Sequence, residues 1–253
     1  MNAGRVALLG VALLALAACA KAEDPGYQGW VEADLIFVSP DEVGRVETLS
    51  VREGDTIEKG APLFTVDPDL QQSDVEMAKA SVTNATQAYE RAQTLLKTSA
   101  GTQKTVEDAE ATLRTAQARL ASAQTRLARR KASSPVTGSV QQIYYRPGEL
   151  VPAGRPVVSL LPPGNIKIRF FVPETALPSV ALGEVVTIRC DGCKTDVTAK
   201  VTFISRTSEF TPPVIYSLDE RSKLVFLIEA RTDTPGELRV GQPVDVRFAE
   251  PRK

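Results

Sequence analysis

The chain is 253 residues long, with 30 Lys and Arg against 31 Asp and Glu, and it contains no histidine. Balanced charge without a basic, aromatic-laced patch gives no support for nucleic-acid binding. The missing histidine removes the commonest general base and zinc ligand, so Ser-His-Asp, Cys-His and HExxH sites are all impossible.

Arg5 is followed by an apolar run over residues 6–16. The run is too short to span a bilayer comfortably and has the layout of a secretory signal. It ends Leu16-Ala17-Ala18-Cys19, which resembles a bacterial lipobox. That resemblance implies a lipoprotein signal peptide over 1–18 and a diacylglycerol on Cys19 as the mature N-terminus. A plain signal peptide with an incidental cysteine is the alternative. Ala20-Lys21 follow, without the Asp that marks inner-membrane retention in enteric bacteria. Residues 19–38 read as an anchor and linker.

Residues 39–66 and 134–163 repeat each other at an offset of 94, with Gly44, Val46, Arg52, Gly54, Gly60 and Pro62 matched by Gly138, Val140, Arg146, Gly148, Gly154 and Pro156. Asp55 aligns with Glu149 and Ile57 with Val151. Each half reads as short strands separated by glycine turns, and two such halves are expected to pair into one sandwich. The pattern resembles the half-motif of lipoyl and biotinyl domains. In those domains a tight turn bearing the modified Lys joins the halves. Here Lys59 lies inside the first half and the joint is residues 67–133, so a swinging-arm carrier is disfavoured.

The joint carries two heptad stripes. Val75, Ala78, Val82, Ala85, Tyr89, Ala92 and Leu96 form the first, and Val106, Ala109, Leu113, Ala116, Leu120, Ala123 and Leu127 the second. Steps of three and four keep each stripe on one helical face. The stripes mirror each other about Gly101, which predicts an antiparallel hairpin with arms roughly 45 Å long. The remaining faces are polar, so the helices are expected to project and not to cover a broad core. Asp67-Pro68 is expected to start the first helix, with Asp67 as N-cap. Ser134-Pro135 is expected to stop the second.

From residue 164 to 253 the chain alternates apolar and polar residues over 166–170, 185–189, 197–204, 223–230 and 244–248, which predicts a small antiparallel β-barrel. Residues 173–182 are read as a short helix beginning near Glu174. Cys190-Asp191-Gly192-Cys193 is expected to be a hairpin turn with the cysteines as cross-strand neighbours. A disulfide is expected there, with free thiols as the alternative. Redox catalysis is disfavoured because strand pattern continues on both sides.

The sequence thus reads as mixed α+β. A split lipoyl/biotinyl-like β-sandwich is interrupted by a long antiparallel α-helical hairpin (a coiled coil) and followed by a β-barrel. That order, behind an export signal, resembles the HlyD-type membrane fusion proteins, the periplasmic adaptor subunits of efflux and secretion systems. Ser39-Pro40, Gly44-Arg45-Val46, Val51, Gly54-Asp55, Gly60 and Leu63 carry the resemblance best. Phe210-Thr211-Pro212-Pro213-Val214-Ile215-Tyr216-Ser217, then Glu220-Arg221 and Leu224-Val225, resemble the branch that serves ABC-type exporters.

The resemblance implies a non-enzymatic chain without cofactor. It further implies an inner-membrane ABC-type exporter and an outer-membrane channel as partners, a homo-oligomeric ring, and a periplasmic location with a lipid anchor, in the inner membrane before the outer. The family's Arg-Leu-Ser tip motif falls on Arg91, Leu95 and Thr102, with Thr keeping a hydroxyl able to cap the returning helix. Bending is expected at the linkers near Asp67 and Ser134. The alternatives are an envelope scaffold lipoprotein that transports nothing, or a carrier-like module.

Overall fold

The computed structural model describes residues 26–191, 193, 196–210, 224–232 and 238–248. The export segment with Cys19 lies outside the described residues, as does 211–223, most of the stretch resembling the ABC-linked branch. The chain divides into two compact units, residues 33–165 and residues 1–32 with 166–253.

The first unit is a sandwich of two four-stranded sheets. Its strands are β2 (Ile36–Val38), β3 (Gly44–Leu49), β4 (Thr56–Ile57), β5 (Pro62–Val66), β6 (Lys131–Ser133), β7 (Gly138–Ile143), β8 (Leu150–Val151) and β9 (Val158–Leu161). One sheet runs β2-β9-β7-β4 and the other β6-β5-β3-β8. Each sheet therefore holds two adjacent strands of one half, flanked on both sides by strands of the other. The repeat is reproduced bond by bond. Gly44 stands opposite Val151, and their counterparts Gly138 and Ile57 stand opposite each other.

Turn chemistry repeats as well. Gly54 N–H donates to the Val140 carbonyl at 2.9 Å and Gly148 N–H to the Val46 carbonyl at 2.8 Å. Asp55 Oδ2 accepts from Arg52 N–H at 2.8 Å, and Glu149 Oε2 accepts from Arg146 N–H at 3.0 Å. Each carboxylate closes its own turn, and each turn glycine has a positive φ, 91° at Gly54 and 95° at Gly148. That region costs glycine nothing and other residues strain.

The sandwich core pairs the halves again. Val46, Ile57, Leu63, Phe64 and Val66 pack with Val140, Val151, Val157, Val158 and Leu160. β2 and β6 are also counterparts. Val38 pairs with Val158 as Ala132 pairs with Phe64. The repeat therefore begins earlier than the glycine pattern shows.

Between β5 and β6 the chain makes α1 (Asp69–Lys97) and α2 (Gln103–Ala128). At about 1.5 Å per residue these are roughly 44 Å and 39 Å long. All fourteen heptad residues are buried or half-buried, with Val75, Ala85, Ala92, Val106, Ala116 and Ala123 the most enclosed. Alanine at the tightest layers lets the backbones approach. The first helix starts one residue later than expected: Pro68 and not Asp67 is its N-cap, without a side-chain cap bond, and Asp67 Oδ1 accepts from Asp69 N–H at 3.0 Å just before it. The second helix ends before the expected stop. Residues 131–133 leave the helical path and pair with β5, so Ser134-Pro135 follows a strand.

The second unit is a closed barrel of β1 (Tyr27–Ala33), β10 (Ile166–Pro173), β11 (Val185–Arg189), β12 (Val197–Phe210), β13 (Leu224–Arg231) and β14 (Pro243–Phe248). Their order around the barrel is β1-β10-β13-β12-β11-β14. Strict alternation along β10 buries Ile166, Ile168, Phe170 and Val172 and turns Lys167, Arg169 and Phe171 outward. β1 corrects the expectation of a linker over 19–38, because Tyr27–Trp30 pairs with Pro243–Val246 to close the barrel. The expected short helix over 173–182 is reduced to a 3-10 turn at Leu177–Ser179.

The cysteines also differ from expectation. Cys193 N–H donates to the Cys190 carbonyl at 3.2 Å, the bond of a β-turn. The β11–β12 ladder begins only at Ile188 opposite Val197, so both cysteines lie in the connection and not on paired strands. Their Cα atoms are 5.4 Å apart, a spacing a disulfide can bridge.

Candidate functional site: the two ends of the helical hairpin

At the far end, α1 closes with a left-handed residue. Ser99 has φ 59°. Ser99 N–H donates to the Leu96 carbonyl at 3.0 Å and Ala100 N–H to the Leu95 carbonyl at 2.9 Å. These are the paired bonds of a Schellman motif, a position glycine usually fills. Gly101, the expected pivot, has another task. A Cβ there would stand 3.1 Å from both Leu95 Cβ and Leu96 N, so glycine allows the returning chain to press on the end of α1.

Thr102 then N-caps α2, its Oγ1 accepting from Thr105 N–H at 3.2 Å and lying 2.7 Å from Thr105 Oγ1. The amides of Ser99, Ala100 and Thr105 are thereby bonded within the turn. Arg91 and Leu95 are exposed, Leu95 by 48%. With Gln87, Glu90 and Thr94 they line an open recess on α1. The structure thus brings Arg91 and Leu95 together one helical turn apart. Thr102 is placed in the cap, where its hydroxyl is engaged. Sequence reading missed Ser99, because Gly101 carried the stronger turn signal two residues away.

Two tip substitutions are expected to act in opposite directions. Thr102→Ala removes the cap and is expected to cost about 1 kcal/mol. Ser99→Gly relieves the left-handed backbone and is expected to stabilise by roughly 0.5–1 kcal/mol. Urea unfolding followed by helical circular dichroism checks both.

The near end is held by a buried guanidinium. Arg130 is 7% exposed. Its Nη1 donates to the Val43 carbonyl at 3.0 Å and its Nη2 to Glu42 Oε2 at 3.2 Å. Glu42 Oε2 also accepts from Gln71 Nε2, in the first turn of α1, at 2.8 Å. Arg129 adds an exposed pair with Asp41 at 3.1 Å, and Arg126 reaches across to Asp74 at 3.6 Å. Both helices are therefore tied to one loop of the sandwich, residues 41–43. Sequence reasoning does not single out Arg130, because Arg129-Arg130-Lys131 looks like a solvated helix end.

The linkers expected to bend are themselves bonded into the sheets. Asp67 N–H donates to the Arg45 carbonyl at 2.9 Å. Ser134 N–H donates to the Ala61 carbonyl at 2.8 Å, and its own carbonyl accepts from Gly60 N–H at 2.7 Å. Ser134 is also 2% exposed. Hinging at these two points would break ladder bonds, so the base is a clamp. Among the described residues no helix is long and apolar enough to cross a membrane.

Known proteins resemble parts of this chain in sequence and most of it in fold. A UPF0194 membrane protein in the asrC 5′ region of Acidithiobacillus ferridurans is 34% identical over 117 residues, 46% of this chain and 35% of that protein. The chain thus aligns with about a third of such relatives' length. The membrane fusion protein Spr0693 from Streptococcus pneumoniae R6 superposes with TM-score 0.70 at 17% identity, covering 89% of this chain and 98% of that one. A MacA-MexA chimera containing the Pseudomonas aeruginosa MexA α-hairpin domain superposes with TM-score 0.72 at 20% identity, covering 88% and 81%. At these identities the likeness is one of fold. Residues 36–161 match the family described as RND MFP, barrel-sandwich hybrid domain. That stretch begins with β2, ends with β9 and contains the whole hairpin, so through its barrel-sandwich hybrid domain the chain belongs to the membrane fusion proteins.

Proposed function

We propose that the chain is the periplasmic adaptor of an efflux or secretion system, linking an inner-membrane exporter of the ABC type to an outer-membrane channel. The observation that carries this is the hairpin. It is clamped at its base, its turn is closed by the amides of Ser99, Ala100 and Thr105, and an exposed Arg91-Leu95 face stands beside its tip. Such a device presents side chains at a distance and does no chemistry. Arg91 and Leu95 meet the channel, and Thr102 acts by holding the turn that presents them. A diacylglycerol on Cys19 holds the chain at the inner membrane, and several copies form a ring around the conduit. The resemblance of residues 210–225 to ABC-linked adaptors supports the exporter type.

The test is photo-crosslinking in living cells, with the reactive residue at Leu95 and a control at Thr115 in the middle of α2. Adducts to an outer-membrane protein from Leu95 alone are the expected result. Adducts from neither position, or from both equally, would count against tip docking and favour an envelope scaffold.

A Cys190–Cys193 disulfide is the oxidation state proposed for the exported protein. Thiol counting after denaturation is expected to find both cysteines blocked, and reduction to cost no more than about 2 kcal/mol, since the closed loop is so short.

A further inference from the structure

We infer that one shoulder of the barrel rests on an anionic phospholipid surface. Three strand registers place the parts. Tyr27 stands opposite Val246, Val186 opposite Phe248, and Val185 opposite Lys200. The start of β1, the end of β14 and the start of β11 therefore share one end of the barrel. Gly183 N–H donates to the Val201 carbonyl at 2.8 Å and Val201 N–H to the Glu184 carbonyl at 2.9 Å, which brings the loop before β11 against β12 at this same end.

Side chains here are apolar and exposed where a barrel exterior is ordinarily polar. Leu182 is 67% exposed, Phe203 48% and Val185 42%. Lys200 is exposed opposite Val185, and Arg206 is exposed three residues beyond Phe203 along β12, while Glu229 stands opposite Phe203. Exposed aliphatic and aromatic side chains interleaved with cations are the chemistry of an interfacial lipid contact.

The occupant follows from the chain that precedes β1. Cys19 lies eight residues before Tyr27. Fully extended, that stretch reaches at most about 29 Å. Tyr27 and Val185 are two strand spacings apart around the barrel, roughly 10 Å. A bilayer holding the Cys19 lipid is therefore always within reach of this shoulder, and the tether leaves the barrel at that end. This argument rests on the lipidation of Cys19 proposed above.

The experiment uses the full, processed chain in phosphatidylglycerol–phosphatidylethanolamine vesicles. Leu182→Cys and Phe203→Cys are each labelled with an environment-sensitive fluorophore. Thr198→Cys, nearer the opposite end of β12, and Thr115→Cys on α2 are the controls, and the parent chain carried through labelling gives the background. A nitroxide on the lipid headgroup is expected to quench positions 182 and 203 severalfold more than 198 and 115. Quenching should fall when phosphatidylcholine replaces phosphatidylglycerol, at high salt, and in a Lys200→Glu background.

Equal quenching at 198 and 203, or none at 182 and 203, overturns the inference. Shielding of 182 and 203 from aqueous iodide that rises with protein concentration, without lipid quenching, also overturns it and assigns the shoulder to a second copy of the chain. Mass spectrometry of the mature N-terminus reports the Cys19 lipid separately. If that lipid is absent, the tether fails while quenching of the same variants by added vesicles still decides the shoulder.

Discussion

Phe64→Ala is expected to destabilise the sandwich by about 3–5 kcal/mol, the usual cost of a cavity left by a buried phenyl ring. Phe64 is 1% exposed. It stands opposite Leu49 on one side and Ala132 on the other. The cavity therefore opens in the sandwich core beneath the strand that leads into the hairpin. Two optical signals separate the consequences. The single tryptophan, Trp30, belongs to the barrel unit, whereas α1 and α2 belong to the sandwich unit. Helical circular dichroism at 222 nm is expected to melt at a markedly lower temperature in the variant, while the Trp30 fluorescence transition stays close to that of the parent. A common shift of both transitions would mean that the two units unfold together.

The second large effect is expected at the clamp. Arg130→Met keeps an unbranched chain of similar bulk and removes the guanidinium fork. Removing one member of a buried ion pair costs about 3–5 kcal/mol. Here Glu42 is 43% exposed at its side chain and is partly rehydrated, so about 2–3 kcal/mol is expected. Arg130→Lys is not expected to rescue, because one ammonium cannot reach both the Val43 carbonyl and Glu42 in the planar geometry of the fork. Amide hydrogen exchange is the measurement. Faster exchange is expected over residues 69–75 and 126–130, at the base of both helices, with the tip unchanged. Unaltered exchange at the base would show that helix packing alone holds the hairpin.

The hairpin was legible because its signal is local. Fourteen residues at steps of three and four determine one seam, and each lies where the seam is buried or half-buried. The split sandwich was legible because positive-φ glycines at fixed spacing leave few alternatives. What escaped depends on partners far away in sequence. β1 is closed into the barrel by residues more than two hundred positions later, and nothing within Tyr27–Ala33 announces that. β2 and β6 are three residues each, too short for an alternation to register. Arg130 and Ser99 are ordinary residues in ordinary contexts, made special by a loop on another strand and by a helix end. At the tip, the positions of Arg91 and Leu95 on one face follow from helical spacing, and the capping hydroxyl of Thr102 follows from its place at the start of the returning helix.

β5 and β6 are hydrogen-bonded neighbours, so the hairpin departs from and returns to points about one strand spacing, roughly 4.8 Å, apart. Topologically it is an insertion at a single point in the sandwich. Seven residues added to each arm at matched positions would restore the seam and extend the reach by about 10 Å. No residue of either core would need to change. Length is thus a property that paired insertions and deletions can retune in a lineage while the body of the protein is inherited intact.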